Sequence, residues 1–294
     1  MKTEEKVPLY RLRKVVEGIV GSPGIVVFDN SVLGKFSHLG NHIRMEIEEE
    51  LDEIRVDIRI FKYLMERSRE RGNVALCEET IDEFDDATSF FGKESKFLRR
   101  ATNRRELYHV LESDTHHSPT KNRKHFRHVS NLLKNLVRIR DRFAFETTVA
   151  VEDLIPGDID VDQINSAVMG ESLRAMADML EAGIRSSLPA PEHMWNDEII
   201  FGKVYAASYG ERRVYLVSAD KMHRVLYVGA FTNPNFRDKL DVFHPRNNLK
   251  LISVHQTNGD LVTRIIDEEN VWKEREILEG LYKRTQPTYA GIFS

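Results

Sequence analysis

The chain has only one cysteine, Cys77, among its 294 residues, and only nine prolines. A single cysteine excludes an internal disulfide framework and any cysteine-based zinc or iron–sulfur site within one chain. No apolar run approaches the ~18 residues that a transmembrane helix needs. Charges interrupt the N-terminal stretch where a signal peptide requires apolar residues. These absences predict a protein of the reducing, cytoplasmic compartment that has no membrane partner.

Net charge is small, at −4, but charges of one sign are strongly clustered. Residues 46–57 carry a net −6, residues 93–142 a net +9, and residues 146–181 a net −8. Like charges repel, so such clusters seldom serve stability. They are either solvated helix faces that neutralise one another, acidic against basic, or they include a basic surface for polyanions.

Short apolar runs rich in β-branched residues predict strands that are buried on both faces, as in a parallel sheet. Longer stretches with helical periodicity lie between them, and Thr80 and Glu83 fit a capping box. Residues 94–188 are almost entirely helical in pattern. The predicted strands are residues 24–28, 74–77, 214–217 and 247–255, and the other predicted helices are 41–71, 80–91, 197–209 and 272–282.

Strands that alternate with helices predict an α/β fold in three layers, with a parallel sheet covered on both sides. The sheet-forming core is split into residues 1–92 and 196–260. Between them, residues 93–195 are predicted to be a large helical insertion. Residues 261–294 are predicted to be a helical tail packed on the core.

Four acidic residues are predicted to meet at one edge of this sheet. Asp29 and Asp220 each follow a predicted strand, Asp197 begins a predicted helix, and Glu83 lies in the first turn of another. The carboxyl ends of parallel strands line the ligand crevice of such folds. Clustered carboxylates raise one another's pKa values unless a cation lies among them, and oxygen ligands favour Mg²⁺ or Mn²⁺.

Each acid also has a purely structural interpretation. Asp29 and Asp220 could cap the helices that follow them, Asp197 could stabilise a helix N-terminus, and the capping box accounts for Glu83. The joint placement at successive strand ends favours the metal site. If that site is crowded with acids, Asp29→Asn should not destabilise the metal-free protein, because it relieves repulsion.

Three segments resemble motifs of the PIN-domain nucleases. Residues 26–33 resemble the family's opening motif, in which an aspartate follows an apolar strand and a hydroxyl residue stands two positions on. Residues 196–207 are similar to its later helix, and residues 214–221 to its terminal strand motif, with Ser218 two residues before Asp220. The family's glutamate is best matched by Glu83, followed by Phe84, with Glu79 as the alternative.

The resemblance implies a PIN-like core in which four acids hold one or two Mg²⁺ or Mn²⁺ ions. It implies hydrolysis of a phosphodiester in RNA, or less often DNA, by a metal-activated water. Asp29 and Glu83 are 54 residues apart, and Glu83 and Asp197 are 114 residues apart. Both intervals exceed those of compact toxin-type members of the family. The residues implied are Asp29, Glu83, Asp197 and Asp220 as metal ligands and Ser31 and Ser218 as orienting hydroxyls.

The basic stretch is the best candidate for contacts to nucleic-acid phosphates, and the insertion could also hold a protein partner or a second copy of the chain. Four histidines in it are interpreted as surface residues rather than as a metal site. The candidates are Lys121, Arg123, Lys124 and Arg127 for phosphates, Phe126 and Tyr108 for stacking on bases, and His116, His117, His125 and His128 as the surface histidines.

Two other classes compete with a nuclease. One is a non-catalytic nucleic-acid or protein-binding module on the same fold, with its acids kept for structure. The other is a haloacid-dehalogenase-like phosphatase, which also begins with a strand and an aspartate. The segment after Asp29 lacks the second acid of that class. The sequence alone does not distinguish RNA from DNA as the substrate or endo from exo cleavage, and it does not give the oligomeric state.

Overall fold

The protein is described by a computed structural model that covers residues 7–36, 47–101, 119–181, 191–240, 248–257 and 260–285. These residues contain one six-stranded sheet. Its strands are β1 (Ile25–Phe28), β2 (Val74–Leu76), β3 (Val149–Ala150), β4 (Val214–Ser218), β5 (Leu249–Thr257) and β6 (Asp260–Ile266). Their order across the sheet is β3-β2-β1-β4-β5-β6. The first five run parallel, and β6 pairs antiparallel with β5.

Helices occupy most of the remaining described chain, and a short 3₁₀ helix follows β3 at Glu152–Leu154. No helix among the described residues is long and apolar enough to cross a membrane. The α-helices are α1 (Leu9–Val20), α2 (Asn30–Lys35), α3 (Ile47–Arg71), α4 (Glu78–Ala101), α5 (Pro119–Glu146), α6 (Val161–Glu181), α7 (Pro191–Ala207), α8 (Lys221–Thr232), α9 (Pro234–Leu240) and α10 (Val271–Thr285).

The central strands β1 and β4 are completely buried, because helices cover both faces of the sheet. Side chains alternate along a strand, so Val26 and Phe28 join a core formed with α1, α3, α4 and α5. Val27 faces the other way, into a core formed with α6 to α10. The predicted α/β sheet flanked by helices on both faces is therefore confirmed.

The stretch predicted as an insertion, residues 93–195, contributes to both the sheet and the helix layers. Within it, β3 pairs with β2, and Phe143 of α5 packs against Phe61 of α3 and Phe84 of α4, with ring centroids 6.1 and 6.3 Å apart. The two-residue β3 is too short to leave an apolar run in the sequence. The predicted helical tail likewise begins with a strand, β6.

Two predicted helix starts are wrong. The capping box at Thr80 does not form, because α4 begins at Glu78, and the Thr80 hydroxyl is buried without a hydrogen-bond partner. The Glu152 carboxylate, distant in sequence, accepts from the Glu78 amide instead. Asp197 lies inside α7, which begins at Pro191, a residue well suited to the first helical position. Neither Glu83 nor Asp197 therefore caps the N-terminus of its helix.

The order of the strands places the switch point of the sheet between β1 and β4. From β1 the chain adds β2 and β3 on one side, and it later returns to add β4 and β5 on the other. In open α/β sheets, ligands bind outside the carboxyl ends of the strands at such a switch point. Phe28 pairs with Val217, so the residues that follow β1 and β4 emerge together there.

Candidate metal centre

Asp29 lies at the end of β1 and is almost completely buried, with 2% of its surface exposed. It occupies the N-cap position of α2, but its side chain makes no capping hydrogen bond. Its Oδ2 atom instead accepts hydrogen bonds from the hydroxyls of Ser31 and Ser218, the latter at 3.0 Å. The capping interpretation therefore does not account for the Asp29 carboxylate.

The two serine hydroxyls are themselves fixed by the main chain that follows β4. The Ser31 oxygen accepts from the amide of Ala219 at 3.0 Å, and the Ser218 oxygen accepts from the amide of Asp220 at 2.9 Å. With their acceptor side occupied by amides, both hydroxyls can turn their protons toward Asp29. They orient its carboxylate and join the ends of β1 and β4.

His223, which no motif of the sequence marks, is buried at the centre of this group. Its Nε2 atom donates to the main-chain oxygen of Asp197 at 3.0 Å, and its Nδ1 atom lies 2.7 Å from the Ser218 hydroxyl and 3.8 Å from Asp29 Oδ2. The imidazole stacks on Phe201, with ring centroids 6.5 Å apart. A lone histidine three residues after Asp220, in the first turn of a largely apolar helix, was the only signal in the sequence.

The hydrogen bonds couple the charge of His223 to that of Asp29. Ser218 has one hydroxyl proton, so when it donates to Asp29, His223 Nδ1 must donate to Ser218. Because Nε2 also donates, the ring is then an imidazolium. Burial lowers the pKa of His223, but the carboxylates of Asp29, Asp197 and Asp220 outweigh it and raise the pKa above its ordinary value. The imidazolium compensates the buried charge of Asp29.

Asp197 brings a second carboxylate to the same place. One ligand atom each from Asp29, Asp197 and His223 lies within 4.8 Å of the others. Burial is the main cause that raises the pKa of Asp197 to about 7; the negative charges of Asp220, Asp29 and Glu198 contribute to the rise, and His223 opposes it. A carboxyl group with so high a pKa has too little positive charge around its ionised form, so a cation bound beside it would be strongly stabilised.

Asp220 combines proximity to the site with a structural role. Its Oδ1 atom accepts from the amide of Met222 and caps α8, as its structural interpretation predicted. The negative charge of Asp220 nevertheless raises the pKa of both Asp197 and His223, so Asp220 lies beside the cluster.

Glu83 is held next to the cluster by two amide side chains. Asn196 donates to its Oε1 atom at 2.8 Å and Asn30 to its Oε2 atom at 3.3 Å. Asn196 immediately precedes Asp197 in the chain, and Asn30 immediately follows Asp29. The amide contacts therefore bring α4 to the elements that carry both aspartates.

The alternative glutamate, Glu79, belongs to a different cluster. It shares Lys203 with Glu152, at N–O distances of 2.6 and 2.8 Å. Burial raises the pKa of the adjacent Cys77 thiol well above its ordinary value. These carboxylates already have a cation in Lys203, whereas Glu83 contacts the asparagines that neighbour Asp29 and Asp197 in the chain.

The donor atoms suit a hard divalent cation. Both nitrogens of His223 are occupied by hydrogen bonds, so the groups left for coordination are carboxylate oxygens. Asp29 is buried and Asp197 and Asp220 are half-buried, and Asp220 lies outside the group of atoms within 4.8 Å of one another. Carboxylates in such surroundings, with the raised pKa of Asp197, match the oxygen ligands that Mg²⁺ and Mn²⁺ prefer. The residues present therefore fit the predicted metal.

Most of the predicted phosphate-binding cluster cannot be placed. Arg127 is exposed on α5, and His128, also exposed, lies 3.3 Å from Arg55. The other residues of that prediction have side chains outside the described part of the chain. They are Lys121, Arg123, Lys124, His125 and Phe126 on α5, and Tyr108, His116 and His117, which fall wholly outside the described residues.

Comparison of the chain with protein-family models, curated proteins and solved structures found no match. The function is therefore inferred from the site itself and from the sequence motifs that form it.

The raised pKa values of Asp197 and His223 predict how stability changes with pH. Both groups hold protons more tightly in the folded state, so the metal-free protein should lose stability as the pH rises from about 5 to 8. Asp197→Asn should flatten this fall. Thermal melts in EDTA across that range check the prediction, and a wild-type melting temperature that rises with pH would contradict it.

Proposed function

We propose that the protein is a metal-dependent nuclease of the PIN type that hydrolyses phosphodiester bonds, with RNA as the substrate. The observation that carries this proposal is the meeting of the carboxylates of Asp29 and Asp197 with the imidazole of His223, one polar atom of each within 4.8 Å of the others, at the switch point of the sheet. The three PIN-like motifs of the sequence contain these strand ends and part of α7, which is why a nuclease is preferred to other metal-dependent hydrolases.

Asp29, Asp197 and Asp220 would hold the metal, with Glu83 beside them. A bound Mg²⁺ or Mn²⁺ would supply an activated water and neutralise charge on the phosphate. Ser31 and Ser218 keep the Asp29 carboxylate in one orientation. Asn30 and Asn196 do the same for Glu83. The chain thus fixes its acidic groups before substrate arrives, which is the main requirement for electrostatic catalysis.

One observation favours the second candidate, a non-catalytic binding module on this fold. The charge of Asp29 is already compensated by His223, and Asp220 already caps α8. Both acids therefore have structural roles without a metal. Asp197 distinguishes the candidates, because its raised pKa indicates a carboxyl group that the protein alone does not compensate.

A cleavage assay separates the two candidates. Wild-type protein should cleave a mixture of single-stranded and structured RNA in Mg²⁺ or Mn²⁺ and should stop in EDTA. Asp197→Asn should lose the activity, whereas Asp238→Asn, an exposed aspartate on α9, should retain it. RNA that stays intact with every metal tested would favour the binding module.

A further inference from the structure

In the helix layer formed by α3, α4 and α5, a group of exposed cations lies on α3 and α5. We call this group the basic face. The residues that define it are Arg55, Arg59 and Lys62 of α3 and Arg127, Lys134 and Arg138 of α5. The basic stretch 93–142 of the sequence contains the α5 residues, and the fold adds those of α3.

Contacts between α3 and α5 bring these cations to one side of the protein. Arg55 of α3 lies 3.3 Å from His128, the neighbour of Arg127 on α5, and Arg69 of α3 pairs with Glu146 at the end of α5. The two helices therefore run side by side in the same direction. On α3 the three cations follow one another at steps of four and three residues, and on α5 at steps of seven and four, so each set lies on one face of its helix.

The two acidic runs differ in how they relate to the basic face. Most of the run 146–181 lies on or before α6, which packs in the core on the opposite face of the sheet. The described part of the run 46–57 lies on α3 itself, where Asp52 pairs with Arg55. Among the described residues, Arg59, Lys62, Lys134 and Arg138 form no ion pair, whereas Arg69 and Arg142 on the same helices pair with Glu146. These four cations of the basic face are therefore left for a partner.

We propose that the basic face binds the phosphodiester backbone of single-stranded RNA. The proposal extends the substrate of the proposed nuclease, and so it rests on that function for the choice of RNA. From Arg127 to Arg138 the face runs ~16 Å along α5, at 1.5 Å per residue. Lysine and arginine contacts to phosphates bind without regard to base sequence.

A protein partner fits this surface less well. The cores of protein interfaces are depleted in charged residues and enriched in aromatic ones. Of the large exposed hydrophobic side chains in the described part of the chain, only Phe145 lies on these three helices, near the end of α5. The face therefore offers charges without an apolar centre.

A matched pair of triple variants tests the proposal. The first replaces Lys62, Lys134 and Arg138 by serine. The control replaces Arg237, Lys239 and Lys273 by serine, which are exposed on α9 and α10 on the other side of the sheet. Each triple removes two lysines and one arginine. Binding of a labelled single-stranded RNA is measured against salt concentration in EDTA, which prevents metal-dependent cleavage.

The basic-face triple should flatten the log–log dependence of affinity on salt by up to ~2, since each phosphate contact contributes about 0.7 for a single strand. The control should keep the wild-type slope. If the first triple does not fold, Lys62→Ser and Lys134→Ser singly should each lower the slope by about 0.7. Equal slopes for wild type and both triples, or equal losses in both triples, would overturn the proposal.

Failure of this proposal and failure of the proposed nuclease give different results. A protein that binds RNA through the basic face but never cleaves it contradicts the nuclease alone. If the protein cleaves RNA with metal, and the basic-face triple leaves the salt dependence of RNA binding unchanged, only the proposal for the basic face is contradicted.

Discussion

Replacing Asp29 by asparagine should lower the rate of metal-dependent RNA cleavage by about 1,000-fold or more. The amide removes one negative charge from the metal ligands. A bound metal contributes several kcal/mol of charge stabilisation in the transition state, and each 1.36 kcal/mol corresponds to a tenfold change in rate. Single-turnover cleavage of labelled RNA measures the loss. Asp238→Asn, which changes an exposed aspartate on α9 in the same way, should leave the rate unchanged.

The same substitution should also destabilise the metal-free protein, contrary to the expectation from sequence. A crowd of acids alone would gain stability from losing a charge. Asp29, however, accepts from Ser31 and Ser218 and lies 3.8 Å from His223. An asparagine nitrogen at Oδ2 would face two hydroxyl donors, and the imidazolium would lose its nearest anion. A melting temperature in EDTA equal to that of wild type would contradict these partnerships.

Replacing His223 by phenylalanine should cost about 3–5 kcal/mol of stability in EDTA, because it leaves the buried Asp29 charge without a partner. That cost corresponds to a fall in melting temperature of roughly 10 °C for a chain of this size. Phenylalanine keeps the ring that stacks on Phe201, so packing changes little. Thermal melts in EDTA measure the effect.

Added Mn²⁺ should stabilise His223→Phe more than wild type, since the metal then supplies the missing positive charge. His255→Phe, at an exposed position on β5, is the control and should show neither effect. If His223→Phe and wild type have the same melting temperature in EDTA, His223 is not the cation that balances the charge of Asp29.

The strand-end acids could be predicted from sequence because their placement is local. Asp29 and Asp220 each follow a short apolar run directly, and a parallel sheet brings such positions to one edge. The start of α7 was misplaced because a helix that begins at Pro191 has no polar cap in the sequence to mark it. The strand β3 was missed because two residues have no periodicity.

His223 could not be predicted because nothing local gives it a function. Its partners are the main chain of Asp197 on α7 and the hydroxyl of Ser218 at the end of β4, and only the packing of α7 against α8 brings them together. The basic face has the same origin. Residues of α3 and α5 that are more than 70 positions apart become neighbours only when the two helices pack side by side.

Calorimetric titration of the wild-type protein with Mn²⁺ at pH 7.5 shows whether the Asp29 cluster binds a divalent cation. Wild type and Asp238→Asn should bind Mn²⁺ with the same affinity and release protons as they do so, because the ligands must be deprotonated. Asp29→Asn should bind at least ~30-fold more weakly, the loss of about 2 kcal/mol expected for one charged ligand. Equal Mn²⁺ affinity in Asp29→Asn and wild type, or no binding by wild type, would contradict the account.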